Sequence, residues 1–330
     1  MTPAATNAFL RGVAFAAGQG VPYPRQDPAD FTRLPVDTWQ SAQLPVGVRV
    51  EWVGEGPVTL HYRTLTDDLG YRGAGAGQTF THVVDAVVVG EQPAILGEGR
   101  VVFHGQRDRR STVYLPEGMK PEVLSVDVAE GVLAAPPQPR WLCYGDSIAE
   151  GWIASGPSLA WPAIVGRTIG LDTVNLGFAG SARGETVSAE HLAKLNADVI
   201  TLSHGTNCWT RIPHSVDQMK ANLHAFLDIV RSTHVATPIL FVSPVARPDA
   251  ESQPNRLGAT LHDLRVAMEQ VVSARISSGD DCLHLLPGRD LLPASLLGDG
   301  VHPNDEGHRT LAAALGPVLQ KLMPQPKEPT

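Results

Sequence analysis

The sequence predicts an α/β protein: a three-layer α/β/α sandwich preceded by an N-terminal β-sandwich or jelly-roll domain. Three observations over the 330 residues lead to this prediction. Residues 1–135 contain short alternating apolar stretches between Gly and Pro residues, and no long helical period. Residues 140–323 alternate apolar runs with helical stretches, which is typical of a parallel sheet covered on both faces. The composition of residues 136–139 indicates a stiff linker, and that of residues 324–330 a frayed tail.

The elements of the first part are predicted as strands of an antiparallel sandwich. Residues 46–53 alternate in polarity, residues 54–57 (Gly-Glu-Gly-Pro) break the pattern, and residues 58–65 resume it. Four further strand-like runs follow, at residues 79–89, 100–104, 112–115 and 123–128. Turn residues separate these runs at short intervals, as expected for a sandwich.

The elements of the second part are predicted as alternating strands and helices. The five strand candidates are residues 140–144, 173–176, 199–203, 239–243 and 282–286. The helical stretches are about residues 160–170, 186–196, 214–233, 256–278 and 304–322. We therefore expect five parallel strands in a flavodoxin-like order, with any ligand bound outside their carboxyl ends.

Composition and charge restrict the class of protein. Apolar residues make up 43% of the chain and charged residues 18%, which predicts a buried core. The formal net charge of -8 argues against nucleic acid or an anionic membrane as a partner. The three cysteines form no disulfide framework, and no apolar run is long enough to span a membrane. Since the first twenty residues lack a convincing signal peptide, we expect a cytoplasmic protein.

Two distant segments contain the residue types of a serine nucleophile system. Ser147 follows Gly145 and Asp146 directly after the first strand of the second part. Asp299 and His302 lie three residues apart in one loop near the C-terminus. A serine hydroxyl needs a general base, and a carboxylate can orient an imidazole for that task. Taken singly, Ser147 could be a helix N-cap, His302 a surface histidine and Asp299 a turn residue.

Four sequence blocks resemble the SGNH (GDSL) hydrolases, and in particular the branch with an N-terminal β-sandwich domain. The blocks are Gly145-Asp146-Ser147 with Glu150-Gly151-Trp152, Asn175-Leu176-Gly177-Phe178-Ala179-Gly180, Gly205-Thr206-Asn207, and Asp299-Gly300-Val301-His302-Pro303. The resemblance covers about residues 140–320. It implies a flavodoxin-like fold and a serine esterase or acyl-transferring activity.

The same resemblance assigns roles to individual residues. It implies Ser147 as the nucleophile, with Asp299 and His302 completing a triad. It also implies an oxyanion hole formed by the backbone N–H groups of Ser147 and Gly180 and by the side chain of Asn207. The alternative interpretations are an Asx turn for Asn207 and an ordinary loop glycine for Gly180.

The residues after Asn207 depart from the family pattern or extend beyond it. Cys208 stands where many family members have an acidic residue. Trp209 and Arg211 are candidates for a substrate pocket, although a core tryptophan and a surface arginine are equally compatible with the pattern. We predict no metal site and no cofactor.

The favoured function is a serine esterase that acts on small acyl esters through an acyl-serine intermediate. One alternative is an acyltransferase that passes an acyl group from an ester or thioester donor to a hydroxyl of a sugar or natural product. Another is a non-catalytic carbohydrate-binding protein. The expected partner is a small-molecule acyl ester or thioester, with a sugar or natural product as acceptor in the transferase case.

Overall fold

The computed structural model describes residues 6–67, 69, 76–210 and 212–323. The strands of its N-terminal part are β1 (Leu10–Arg11), β2 (Arg49–Val53), β3 (Gly56–Thr64), β4 (Thr79–Val84), β5 (Val87–Pro93), β6 (Gly97–Gly105), β7 (Arg110–Tyr114), β8 (Pro121–Val128) and β9 (Leu133–Ala134). They form two antiparallel sheets. One has the order β1-β2-β7-β4-β5, with β9 also on β2, and the other has the order β6-β3-β8.

The two antiparallel sheets enclose one apolar core, which confirms the predicted β-sandwich. Alternate residues of β3 are buried, so that Val58, Leu60 and Tyr62 face inward. Trp52 of β2 and Phe80 of β4 enter the same core from the other sheet. Burial of these side chains supplies the main free energy that holds the sheets together, at about 25 cal/mol per Å² of apolar surface.

One predicted strand of this part is wrong. The run predicted at residues 79–89 is a hairpin of β4 and β5, which pair antiparallel from Val84 and Val87 outward. Asp85 adopts φ 53°, a left-handed conformation that aspartate tolerates better than most residues. Because the sequence lacks the Asn-Gly or Asp-Gly signal of such turns, the valines on either side read as one strand.

The C-terminal part contains a five-stranded parallel sheet. Its strands are β10 (Arg140–Gly145), β11 (Asp172–Gly177), β12 (Val199–Ser203), β13 (Ile239–Val242) and β14 (Leu283–Leu286). Their order in the sheet is β11-β10-β12-β13-β14, and each pair is parallel. This is the flavodoxin-like order 2-1-3-4-5, which confirms the predicted fold class.

Helices cover both faces of the parallel sheet. The helices of the described residues are α1 (Val36–Ala42), α2 (Ser147–Glu150), α3 (Trp161–Ile169), α4 (Thr186–Ala193), α5 (Val216–Arg231), α6 (Leu261–Ser277) and α7 (Asp305–Leu322). The apolar sides of α4, α5 and α6 share one core, and those of α3 and α7 share the core on the opposite face. Capping boxes at Ser215 and Thr260 begin α5 and α6, and the Asn304 side chain caps α7. No helix of the described ranges is long and apolar enough to cross a membrane.

The segment between β1 and β2 packs against the parallel-sheet part of the chain. Ala42 of α1 is buried in the core that α4, α5 and α6 share, with Phe15 and Trp39 against it. The backbone N–H of Gly12 donates to Asp172 at the start of β11. The predicted boundaries of 1–135, 136–139 and 140–323 stay predictions, and residues 324–330 lie outside the described residues. The sequence reveals neither α1 nor this packing.

Candidate active site

Ser147 lies in a tight turn at the carboxyl end of β10. Gly145 ends the strand, and a Cβ there would lie 2.5 Å from the Ala149 Cβ and still closer to the Ser203 carbonyl oxygen. The Asp146 carboxylate accepts the Ile148 N–H at 3.0 Å and is therefore the N-cap of α2. This capping leaves the Ser147 hydroxyl available for a different contact.

Asp299 and His302 lie on the loop that precedes α7. The Asp299 Oδ1 atom accepts the N–H groups of Val301 at 2.9 Å and His302 at 2.7 Å. The Gly298 N–H donates to the His302 carbonyl at 2.8 Å, which closes the loop around them. Asp299 is therefore a turn residue, as one interpretation proposed, and its second oxygen remains free for the imidazole.

These three side chains form one hydrogen-bonded chain. The Asp299 Oδ2 atom lies 2.7 Å from His302 Nδ1, and His302 Nε2 lies 2.9 Å from Ser147 Oγ. An ionised carboxylate only accepts, so the network assigns a proton to Nδ1 and leaves Nε2 to accept from the serine hydroxyl. Burial raises the pKa of Asp299, but hydrogen bonds from the His302 ring and backbone outweigh it and hold that pKa below its ordinary value. A negative Asp299 beside the imidazole follows.

Gly180 and Asn207 lie on the loops that follow the two strands flanking β10. Gly180 follows β11 with φ 71°, and an added Cβ would meet nothing within 4 Å. Glycine is therefore favoured at position 180 by the left-handed backbone conformation, and not by a lack of space for a side chain. Asn207 lies in a short 3-10 helix after β12, and its amide nitrogen donates to the Ala182 carbonyl over a long distance of 3.4 Å. Both loops therefore follow strands that neighbour β10, at the same edge of the sheet as Ser147.

Arg247 lies close to these loops and was not found from the sequence. Its side chain is buried after β13, pairs with Asp249 at 2.7 Å and donates to the Thr206 hydroxyl at 3.3 Å. Burial raises the pKa of Asp146 to about 6, although backbone N–H groups and the charge of Arg247 oppose this shift. Only an Arg-x-Asp spacing shortly after a strand marks Arg247 in the sequence, and that signal is weak.

The residues that follow Asn207 differ in their surroundings. The Trp209 ring is half-buried, donates its indole N–H to the Gln253 carbonyl at 2.8 Å, and lies 5.5 Å from the Arg247 guanidinium. Its contact with a substrate stays a prediction. Arg211 lies outside the described residues. Cys208 is buried, and burial raises the pKa of its thiol, which disfavours the nucleophilic thiolate.

Trp152 borders the site from the side of His302. Its ring centroid lies 6.1 Å from that of His302. Leu44 and Val46, from the segment before β2, pack against Trp152. Among the residues that the structure describes, no group of three or more His, Cys, Asp or Glu side chains is placed to hold a metal ion.

A comparison with protein families finds one family whose model matches the parallel-sheet part of the chain. The model of the GDSL-like lipase/acylhydrolase family matches residues 139–320, more than half of the chain. The chain belongs to this family. It is accordingly an enzyme of the GDSL type, as the sequence blocks predicted.

Solved structures of GDSL and related enzymes share the fold. The salicylyl-acyltransferase SsfX3 from a tetracycline biosynthetic pathway matches with a TM-score of 0.80 at 24% identity, covering 95% of this chain and 94% of that one. A protein described as a GDSL-like lipase from Bacteroides ovatus matches with a TM-score of 0.77 at 21% identity, covering 95% of both chains. A family two carbohydrate esterase from Clostridium thermocellum in complex with cellohexaose matches with a TM-score of 0.61 at 16% identity, over 83% and 91% of the two chains. At these identities the likeness shows the fold alone. A comparison with curated proteins found no match.

Proposed function

We propose that the protein is a serine esterase that hydrolyses small acyl esters through an acyl-Ser147 intermediate. The observation that carries this proposal is the hydrogen-bonded chain from Asp299 through His302 to Ser147. It contains nucleophile, base and orienting carboxylate in the order that acyl transfer needs. The intact chain also argues against the non-catalytic carbohydrate-binding alternative.

The first half-reaction forms the acyl-enzyme. His302 Nε2 takes the hydroxyl proton while Ser147 Oγ bonds to the ester carbonyl carbon, whose oxygen becomes negative. The backbone N–H groups of Ser147 and Gly180 and the Asn207 amide would donate to that oxygen. Each such donor contributes about 3–4 kcal/mol in comparable sites. The intermediate then collapses, and the leaving alcohol departs with the proton from His302.

The second half-reaction releases the acid. His302 takes a proton from water, whose oxygen bonds to the acyl carbon. The bond to Ser147 Oγ then breaks, and the serine recovers its proton from the imidazolium. Asp299 keeps the ring oriented and stabilises its positive form throughout.

A small acyl group suits the surroundings of Ser147. The Trp152 ring lies beside His302 with Leu44 and Val46 packed against it, and we infer that these side chains leave room for only a small acyl group on that side. Acetyl esters are therefore the proposed substrates. Rates measured over p-nitrophenyl esters of increasing chain length should fall beyond short chains, and a maximum at long chains would contradict the proposal.

The direct test is turnover of p-nitrophenyl acetate by the parent protein and by Ser147→Ala. Turnover that vanishes in a folded Ser147→Ala variant supports the serine route. Equal turnover in both proteins would refute it. If neither turns over, acyl-CoA thioesters are the next donors to assay, because the same intermediate can form from them.

An acyltransferase is the second candidate. Its support is the similarity to the salicylyl-acyltransferase SsfX3 over 95% of the chain, which includes the β-sandwich. The carbohydrate esterase with bound cellohexaose makes a sugar hydroxyl a reasonable acceptor to assay. Water and another hydroxyl attack the same acyl-Ser147, so the fraction of acyl group passed to an added acceptor decides between the two functions. The predicted cytoplasmic location and the absence of nucleic-acid and membrane partners stay predictions.

A further inference from the structure

A buried ion pair joins the segment before α1 to the helix that carries Ser147. The Arg25 Nη2 atom lies 2.7 Å from Glu150 Oε1, and the side chains are 1% and 0% exposed. Glu150 is the last residue of α2, and Ser147 is the first. Arg25 lies far outside residues 139–320, the part of the chain that matches the family.

Both partners also hold the loop that leads to Gly180. The Glu150 Oε2 atom accepts the Ala179 N–H at 2.7 Å. Arg25 donates through Nη1 to the carbonyl of Gly177, and its guanidinium lies 4.9 Å from the centroid of the Phe178 ring. The pair thus holds the loop at the residues on both sides of Phe178, and Gly180 is the next residue along.

Arg25 is itself fixed by the backbone of its own segment. Its Nε donates to the Leu44 carbonyl at 2.7 Å and its Nη2 to the Ser41 carbonyl at 2.6 Å. The Ser41 hydroxyl donates to Glu150 Oε1 at 3.1 Å. The guanidinium therefore connects three parts of the chain: the end of α1, the end of α2 and the loop after β11.

Stability alone does not account for such a pair. Removing two charges from water is costly, and apolar residues of similar volume often serve as well or better. An oxyanion hole, in contrast, needs its donors fixed at the position where the negative oxygen will form. A misplacement of about 1 Å can cost about 100-fold in rate.

We propose that Arg25 and Glu150 are positioning residues that fix the Gly180 N–H relative to Ser147. This inference rests on the proposed function, since it assigns an oxyanion role to Gly180. Arg25, which lies outside the residues that the family model matches, thereby helps to set the catalytic geometry. This gives the N-terminal part of the chain a role in catalysis.

The test replaces the pair as a unit, because removal of one partner alone leaves an uncompensated buried charge. In Arg25→Met/Glu150→Met, two apolar side chains fill the space of the ion pair, but the hydrogen bonds to Gly177 and Ala179 are lost. The matched control is Arg231→Met/Asp280→Leu, which removes a largely buried pair with a 2.9 Å contact. The Arg231 guanidinium also donates to two backbone carbonyls, as that of Arg25 does, but these lie at the amino ends of the parallel strands, away from Ser147.

Two readouts separate positioning from a merely structural role. One is kcat and KM for p-nitrophenyl acetate, and the other is the affinity for phenylboronic acid, whose serine adduct imitates the tetrahedral intermediate. We expect the double variant to lose about 100-fold in kcat with KM nearly unchanged, and to bind the boronic acid correspondingly more weakly. The control variant should keep both values, whatever its melting temperature.

The other outcomes have distinct meanings. A folded double variant with kcat within threefold of the parent overturns the inference and leaves the proposed function standing. A parent protein that neither turns over ester through Ser147 nor binds the boronic acid refutes the proposed function, and the inference with it. If the double variant does not fold, Arg25→Lys decides: the lysine keeps a charge opposite Glu150 but lacks the fork that reaches Gly177. Lower kcat at unchanged KM then supports the inference, and full kcat overturns it.

Discussion

Asp299→Asn tests how His302 is held, because the substitution changes one atom of the carboxylate. The Asp299 Oδ1 atom accepts two backbone N–H groups, and Oδ2 accepts the His302 Nδ1 proton. An asparagine keeps the backbone contacts only if its amide nitrogen faces His302. The ring proton then moves to Nε2, and the ring can no longer accept the proton of Ser147.

The structure sets the size of this effect. The productive tautomer would require the asparagine to turn its amide nitrogen toward the two backbone N–H groups, which would then lose their acceptor. At about 1.5 kcal/mol for each lost contact, the cost is about 3 kcal/mol, or about 100-fold in rate. Loss of the negative charge beside the imidazolium adds to this. The total loss in rate should not exceed about 10,000-fold, which is the loss seen when the carboxylate of a fully buried triad is replaced by an amide. Asp299 is 43% exposed, so water screens its charge and the loss should be smaller than that.

The assay is the initial rate of p-nitrophenyl acetate hydrolysis, resolved into kcat and KM, with thermal unfolding to confirm the fold. The matched control is Asp305→Asn. Asp305 accepts from the N–H and the hydroxyl of Ser155, and the structure records no contact between it and His302. We expect the control within about twofold of the parent. An Asp299→Asn variant that keeps more than a tenth of the parent kcat would refute this account of how His302 is oriented.

Three further predictions concern the surroundings of Ser147. Burial raises the pKa of Asp146 from 3.8 to about 6, so the parent should lose about 2 kcal/mol of stability relative to Asp146→Asn as the pH rises from about 4 to 6, as measured by denaturant unfolding. Gly177→Ala should lower the free energy of unfolding by about 3 kcal/mol, because the new Cβ would lie 2.5 Å from the Glu150 Cα. Its control, Gly316→Ala in α7, should raise that free energy by up to about 1 kcal/mol, because the new Cβ would meet nothing within 4 Å and alanine favours a helix. Asn207→Ala should lower kcat about 100- to 1,000-fold and leave KM nearly unchanged, as steady-state kinetics would show.

Each of these predictions has a contrary result. A stability difference between the parent and Asp146→Asn that does not change between pH 4 and 6 would mean that the carboxylate is not desolvated. Equal stability of the Gly177 and Gly316 variants would contradict the close packing of the loop on α2. A higher KM with unchanged kcat in Asn207→Ala would place that amide on the substrate and not on the oxyanion.

The sequence predicted those parts of the fold that depend on local patterns. All five residues of β12 are hydrophobic or small, and four of them are buried, so the run is recognisable as a central strand. Helix α5 begins with a capping box at Ser215 and buries one apolar face, which a sequence pattern also reveals. Helix α1 was missed because it is seven residues long and buries only Thr38 and Ala42.

The sequence proposed residues for the candidate site but could not give their contacts. Sequence blocks singled out Ser147, Asp299 and His302, whereas the 2.9 Å contact between Ser147 and His302 joins residues 155 positions apart. The pair of Arg25 and Glu150 spans 125 positions and has no repeat or motif to mark it. Such contacts follow from the packing of the whole chain and lie beyond any local pattern.

The central claim is that Ser147 carries the acyl group. Intact-protein and peptide mass spectrometry, after rapid acid quenching of the enzyme with p-nitrophenyl acetate, tests it most directly. The account predicts one acetyl group on the peptide that contains Ser147 in the parent and none in Ser147→Ala. An acetyl group on another residue during turnover, or the same labelling in Ser147→Ala, would contradict it.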